Sequence, residues 1–363
     1  MSRLAHSAGR LSVPEIGKAM RDISRAWRRS GLDSRWLHDF RHRFGVHGLQ
    51  GVVSQSAQPG PGAASLGGEA ALLAASLCHP AWGCARLCAA LRQEGVALQP
   101  SAARQLLREQ GLATRRDRWL RLEAEVHAGA VTPSDEQLRF LVEQNPCWRE
   151  RAGPPPVPGA LLCQQTVCVA RCRRECNYLL CRLDDGRYFY LGEADGADRI
   201  WLHLVVDAGS MLGFALVQAG RCPEAAVALL HNDVLPFFGA EEIPVSAVLT
   251  GGGRELCGGE AHPYELYLAL SGIEHRRRPP RCRTGFMERF RRALVGEFFR
   301  SVTHRTFYNS LEPLQRDLDA WLTFYNTQRE HPGYPNGGRT PIDVVQSARA
   351  RQQTKETRSQ PGG

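Results

Sequence analysis

Three groups of side chains in this 363-residue sequence could do chemistry. The densest is a cysteine run, Cys163, Cys168, Cys172, Cys176 and Cys181. Thiolates suit zinc, but zinc sites are usually built on close C-x2-C pairs, and the gaps here are four, three, three and four residues. The run reads as free thiols, with structural zinc as an outside alternative. Carboxylates form the second group: Glu288 in TGFMERFRRA, and Asp184, Asp185, Asp195, Asp198 and Asp207. Carboxylates that converge hold hard cations such as Mg2+, which demands near-octahedral oxygen ligands. Standing alone, Glu288 is a helix-surface acid beside Arg289, Arg291 and Arg292. The third group is cationic. Arg276, Arg277, Arg278, Arg281 and Arg283 precede Glu288, and residues 271–300 hold nine Arg against three Glu. Such a loop either contacts phosphates without reading sequence or is an exposed charged loop, and Pro279 and Pro280 keep it from becoming helix.

The elements that must position these groups fall into three parts. Residues 14–48 predict short helices, with Trp36, Leu37, Phe40 and Phe44 at helical spacing and Arg35 and Arg41 turned away from them. That is a helix-turn-helix pattern over residues 1–53, followed by a Ser/Gly/Pro linker at 54–68. Residues 69–125 predict a second helix-turn-helix, with Ser101 as an N-cap and Gly95 and Gly111 as stops. Ala102, Leu106 and Leu107 would pack inward there, leaving Arg104 and Arg108 outside, and a basic cluster of Arg115, Arg116, Arg118 and Arg121 follows. After a linker at 126–157, strands alternate with helices over 158–346. LLCQQTVCV is a strand, IWLHLVVD and LGFALVQ a hairpin turning at Ala208–Ser210, and PVSAVLT a buried strand. Hairpin strands followed by strand–helix alternation predict an α/β layer fold with a mixed sheet, ending in a polar, disordered tail at 347–363.

Charge separates the parts. Residues 1–124 carry 18 Arg or Lys against 9 acids, a net of +9, and the remaining residues balance at 28 of each. All but Lys18 and Lys355 of the basic residues are Arg, which reads either as a GC-rich coding sequence or as selection for guanidinium forks. A basic first third on a neutral body fits polyanion binding, as double-stranded DNA would provide. No run of about 18 apolar residues occurs, which excludes a membrane-spanning helix, and MSRLAHSAGRLSVPEIGK lacks an apolar secretion segment. With twelve cysteines, the expected compartment is reducing: cytoplasmic, at the nucleoid.

The stretch HPYELYLALSGIEHRR, with TGFMERFRRAL, EFFR, LDAWLTFYNTQREHPGY and GRTPIDVV after it, resembles the integrase-core transposases of bacterial insertion sequences. HPAWGCARLCAALRQEGV and GLATRRDRWLRLE resemble their second helix-turn-helix, and PGALLCQQTV the opening of their catalytic domain, so the likeness spans most of residues 14–345 in order. The resemblance implies an α/β, RNase H-like integrase core with a mixed sheet, preceded by all-α helix-turn-helix domains. It also implies DNA strand transfer by three carboxylates holding two Mg2+ or Mn2+ ions, in a homo-oligomer on element ends and target DNA.

On that resemblance the third acid is Glu288. The second falls on Gly251 in LTGGG, and the first on Gln165 in CQQT. Glycine offers no ligand atom, and a glutamine amide is a weak neutral substitute at a hard cation. An apparent insertion, ARCRRECNYLLCRLDDGR, precedes a second first-strand likeness, FYLG, and leaves Asp185 as a displaced acid. The expectation is therefore a transposase- or integrase-like DNA-binding protein with impaired catalysis and no bound metal pair. The alternative is a non-enzymatic DNA-binding regulator or decoy derived from a transposase.

Overall fold

The computed structural model describes residues 12–18, 68–151, 155–175, 177–192, 198–258, 262–279, 284–303 and 306–359. The helix-turn-helix expected over residues 1–53 lies outside them except for a helical segment at 13–18, as does the linker at 54–67. The chain divides into two compact units, Ser30–Gln144 and a larger one made of Met1–Arg29 with Asn145–Gly363.

In the smaller unit, α1 (Gly68–Cys78), α2 (Cys84–Gln93), α3 (Pro100–Glu109), α4 (Arg115–His127) and α5 (Asp135–Gln144) follow in order. Leu72, Leu87, Leu91, Ala103 and Leu107 close a core among the first three. The inward residues of α3 are Ala103 and Leu107, one turn apart, rather than Ala102, and the helix starts at Pro100 with Gln99 as its N-cap instead of Ser101. Helix α4 is entered through a reciprocal cap between Thr114 and Asp117. Helix α5 occupies what reads as linker at 126–157. Ser134 and Gln137 cap each other's backbone, Phe140 and Leu141 are buried, and Gln137 Nε2 donates to the Leu77 carbonyl at 2.8 Å.

Among the described residues, the larger unit is built on an eight-stranded mixed sheet. Its centre is β1 (Leu162–Glu175), flanked by β4 (Arg199–Asp207), beyond which lies β5 (Gly213–Gln218), both antiparallel. On the other side of its first residues runs β6 (Ala247–Thr250), parallel, and then β7 (Glu274–Arg277), also parallel. Three antiparallel strands followed by two parallel ones, in the order β5–β4–β1–β6–β7, are the expected RNase H-like core.

The apparent insertion is a continuation of this sheet. A register shift between Cys168 and Ala170 lets β1 run on past β6, and its last residues pair with β2 (Tyr178–Arg182). Next come β3 (Tyr188–Leu191) and the two-residue β8 (Phe307–Tyr308). The cysteine run thus lies on sheet strands: Cys163, Cys168 and Cys172 on β1, and Cys181 directly across from Cys172 on β2.

One sheet face is covered by α9 (Gly285–Ala293), which widens into a π-turn at Leu294–Phe298, by α10 (Phe299–Val302) and by α11 (Leu311–Thr327). The opposite face carries α6 (Pro223–Leu229), a π-turn at Leu230–Val234, α7 (Leu235–Ala240) and α8 (Pro263–Leu270). The polar stretch from 347, expected to be disordered, continues α12 (Pro341–Ser359). Thr340 and Asp343 cap its start, Val345 is buried, and Arg349 pairs with Glu241 and Glu242.

Candidate active site

Side-chain alternation on β1 decides what reaches the helix carrying Glu288. Leu162 and Gln164 belong to the α6–α8 face: Gln164 Nε2 donates to the Ala226 carbonyl at 3.0 Å, and the Tyr264 hydroxyl donates to Gln164 Oε1 at 2.6 Å. Cys163 is buried with the α9 face, as is Leu204, the β4 partner of Gln165. Gln165 therefore stands on the α9 side. Thr250 pairs with Gln164 in parallel register and bonds His275 Nε2 through Oγ1 at 2.8 Å, and Gly251 is the first residue past β6, as Gln165 is the next along β1. Neighbouring strands lie about 5 Å apart.

Glu288 sits in the first turn of α9, whose N-cap Thr284 accepts from Met287 N at 3.0 Å. The helix start is locked in place. A Cβ at Gly285 would run into the Pro146 carbonyl, so only glycine allows this approach of α9 to the turn Pro146–Glu150. Arg289 bonds the Tyr334 carbonyl at 2.6 Å, the Pro332 carbonyl at 2.7 Å and Asn145 Oδ1 at 3.2 Å, which makes it a structural clamp.

The Glu288 carboxylate is taken by arginine on both oxygens: Arg149 binds Oε2 and Arg292 binds Oε1. Burial pushes its pKa up, but the two guanidinium groups outweigh that and hold it below the usual carboxylate range. Next to it, Glu150 Oε1 accepts from Gly285 N at 2.6 Å, and Oε2 lies 3.3 Å from Arg278. Burial raises the Glu150 pKa in spite of those partners. Cys163, beneath Thr284, is fully buried, and burial pushes its thiol up to about 12, so it is no nucleophile at neutral pH.

Asp185 does not join this group. FYLG forms β3 of the added hairpin, and Asp185 lies in the turn before it, where Gly186 takes a positive φ of 86°. Arg187 Nε binds Asp185 at 2.8 Å, and the same guanidinium donates to the Val295 carbonyl at 3.1 Å. Val295 is seven residues beyond Glu288 along one helical path, about 10 Å at 1.5 Å per residue. Asp207 is a buried turn residue that accepts from Gly159 N at 3.0 Å, from Ser210 N at 2.8 Å and from Ser210 Oγ at 2.6 Å.

Gln165, Gly251 and Glu288, the positions the resemblance assigns to the three acids, do not fit a pair of Mg2+ or Mn2+ ions. Gly251 has no donor, Gln165 offers a neutral amide, and Glu288 is already bound by two cations. Among the described residues no group of three or more His, Cys, Asp or Glu side chains is placed to hold a metal ion.

The arginines expected to touch DNA separate into kinds. Arg104, Arg108 and Arg116 are exposed, whereas Arg115 is exposed but 3.2 Å from Glu143. Arg118 is buried, donating to the carbonyls of Leu112 at 2.9 Å, Pro80 at 3.3 Å and Trp82 at 2.6 Å, and so is structural. Arg276 and Arg277 belong to strand β7 rather than to a loop, because parallel pairing with β6 holds them extended. Arg276, Arg277 and Arg278 pair with Glu274, Glu265 and Glu150 respectively. Arg35, Arg41, Arg281 and Arg283 lie outside the described residues. Arg149 and Glu150 escape sequence reasoning because they fall in an apparent linker; the Asn145-Pro146 step, a cap followed by Pro at the first helical position, was the available signal.

No protein-family model matches the chain, and no curated protein matches it. Among solved structures, it is similar to the catalytic core domain of HTLV-2 integrase in complex with magnesium. In the dimeric form of that core the identity is 12% over 52% of this chain and 97% of that one, with a TM-score of 0.33. In the trimeric form the values are 13%, 53%, 99% and 0.34. It is also similar to the simian T-cell lymphotropic virus intasome in complex with the PP2A regulatory subunit B56 gamma, with 15% identity over 62% of this chain and 74% of that one and a TM-score of 0.36. The strand order and directions, rather than these likenesses, carry the fold assignment. No helix among the described residues is long and apolar enough to cross a membrane.

Proposed function

We propose that this chain is an integrase-type DNA-handling protein, of the transposase kind its sequence resembles, whose centre does not carry out strand transfer. One observation carries the reading: both oxygens of Glu288 are bound by arginine, and the resemblance assigns the other two acid positions to Gln165 and Gly251, which carry no carboxylate. Phosphodiester transfer by this route needs two metal ions held by convergent acids, and the donors present cannot hold them. The exposed Arg104, Arg108 and Arg116, together with the basic first third, support binding to double-stranded DNA, and the resemblance adds element ends as the site and a homo-oligomer as the form.

The same observation favours a non-enzymatic role, in which the protein occupies element ends as a repressor or decoy or joins mixed oligomers. A gel-shift salt series on duplex DNA, paired with a strand-cleavage assay in Mg2+ or Mn2+, tests the proposal. The expected outcome is binding that weakens steeply with salt and no metal-dependent nicking. Salt-insensitive or absent binding would remove the DNA role, and nicking that disappears in Glu288→Ala would overturn the inactive centre.

A further inference from the structure

The hairpin added to the RNase H-like core presents a face that the strand-transfer reading leaves without a use. Cross-strand register assigns its side chains. On the inner side, Cys181, Leu179, Phe189, Leu191 and Tyr308 are buried against α10 and α11. On the outer side, the first row across the strands is Arg199, Arg171, Arg182 and Tyr188. The next row brings Arg173, Leu180, Tyr190 and Phe307 level with one another. Cations thus line the β1 side of this face over two rows, with Glu175 across from Tyr178 in the third, and aromatic rings line the β3–β8 side.

The rings form one continuous cluster. Tyr178 meets Tyr190 edge-on at 5.3 Å and Phe307 at 6.4 Å, and Tyr190 meets Tyr188 at 5.5 Å. Tyr178 is 36% exposed and Phe307 53%, although large apolar side chains are normally covered in a packed sheet. Arg171 and Arg182 are exposed and have no acidic partner among the described residues, whereas Arg173 lies 3.5 Å from Glu175. Exposed rings beside unpaired guanidinium groups on an open sheet are what bases and phosphates of an unpaired strand require. Any base offers a π-face to an aromatic ring, and the backbone follows the positive stripe. A duplex keeps its base faces stacked inside and could use only the arginines.

The geometry points to a binding face for single-stranded DNA on the outer side of β1–β2–β3–β8, with bases on Tyr178, Tyr190 and Phe307 and phosphates on Arg171 and Arg182. This face does not depend on the strand-transfer reading, since it uses neither Glu288 nor the helical unit.

Fluorescence anisotropy of the full chain tests it with three probes: oligo-dT of about 12 nucleotides, oligo-rU of the same length, and a duplex of the same length. Tyr178→Ala with Phe307→Ala is expected to weaken oligo-dT binding about tenfold or more and to change duplex binding less than twofold. Tyr178→Trp with Phe307→Trp should restore the oligo-dT affinity. Arg171→Gln with Arg182→Gln should reduce the salt slope for oligo-dT by about 1 to 1.5, from two lost phosphate contacts. Both positions are exposed, so an unchanged thermal midpoint verifies the fold of each variant. Unchanged oligo-dT affinity in the alanine pair, or an equal loss on the duplex, would overturn the proposal. Binding of oligo-rU without oligo-dT would overturn it too, moving the occupant to RNA, whereas similar affinity for both supports stacking that tolerates either sugar.

Discussion

Gln164 and Gln165 point to opposite faces of β1. Gln164 is spent on the α6–α8 side, held by the Ala226 carbonyl and the Tyr264 hydroxyl. Gln165 is on the side of α9, one residue past the last pair of β1 with β6. A slip of one residue would reverse both, so the pairing of β1 with β4 and β6 determines which glutamine stands at the centre. On the proposed reading, acids belong at Gln165 and Gly251.

A Cβ at Gly251 meets nothing within 4 Å, so a side chain can start there without a clash at its first atom. Gln165→Asp with Gly251→Asp supplies two acids, but Glu288 stays bound to Arg149 and Arg292. The double variant should bind Mn2+ weakly. Adding Arg149→Gln should tighten binding by at least about tenfold, because one competing cation leaves the carboxylate. Isothermal titration with Mn2+ measures both, and a folded triple variant that binds no metal would sink the placement of the centre.

The helical unit allows a comparison between arginines of the same charge and opposite role. Arg118 donates to three carbonyls in a buried pocket, and burial lowers its pKa. Arg118→Ala should cost about 3 kcal/mol of stability, since it leaves buried acceptors unpaired. Arg104→Gln with Arg108→Gln should leave the thermal midpoint within about 2 °C, because exposed substitutions away from such features move stability by only a few tenths of a kcal/mol. It should also lower the duplex salt slope by about 2. A pair of variants that shift the midpoint without touching DNA affinity would exclude α3 from the interface.

How much of this could be read in advance depends on where the partners lie. The hairpin turning at Ala208–Ser210 and the strand at 247–250 follow from local alternation, and the structure has both. Gly95 and Gly111, expected as helix stops, have positive φ values of 86° and 64°. Helix α12 was illegible because its support is remote: Arg349 reaches Glu241 and Glu242 across more than a hundred residues, and the segment itself is polar. Arg118 reads as one more surface cation, and only the carbonyls of Pro80 and Trp82 show it to be a buried brace. At the candidate centre, Gln165 and Gly251 are assigned by the family likeness alone, and nothing local announces Arg149, which binds Glu288 from a turn 139 residues away.

Gly285 makes that neutralisation geometrically possible. With no Cβ, α9 can approach the Pro146 carbonyl, and Gly285 N donates to Glu150. Gly285→Ala should therefore push the helix start away from the Pro146–Glu150 turn. The expected cost is about 2 kcal/mol or more, with the largest gain in amide exchange at residues 146–150 and 285–289. Exchange that rises uniformly over the sheet instead would show that the contact is not local.

Acid should act on two buried groups with opposite signs. His203 is fully buried with Nδ1 3.1 Å from Thr166 Oγ1, and burial, the largest influence, lowers its pKa to about 4. A base with a depressed folded pKa stabilises the protein above its unfolded value near 6.5, and that contribution is lost as pH falls through about 4. Asp207, also fully buried, is raised to about 6 by burial despite the bonds from Ser210, Gly159 and Gly209. The folded state therefore keeps its proton where the unfolded chain releases it near 3.9, so this group costs stability as pH rises from about 4 to 6. Over that window the slopes of His203 and Asp207 oppose each other, and His331, whose pKa burial lowers to about 3, adds a slope of the same sign as His203, so the parent's urea midpoint should rise with pH. His203→Asn keeps an acceptor for Thr166 and removes one titration, so its midpoint should rise less than the parent's as pH goes from 4 to 6. Asp207→Asn removes the other, and its midpoint should rise more than the parent's over the same range. Both variants are expected to be less stable than the parent at pH 7, because each loses a buried hydrogen-bonding arrangement. Parallel profiles for parent and variants would show that neither buried group governs the response to acid.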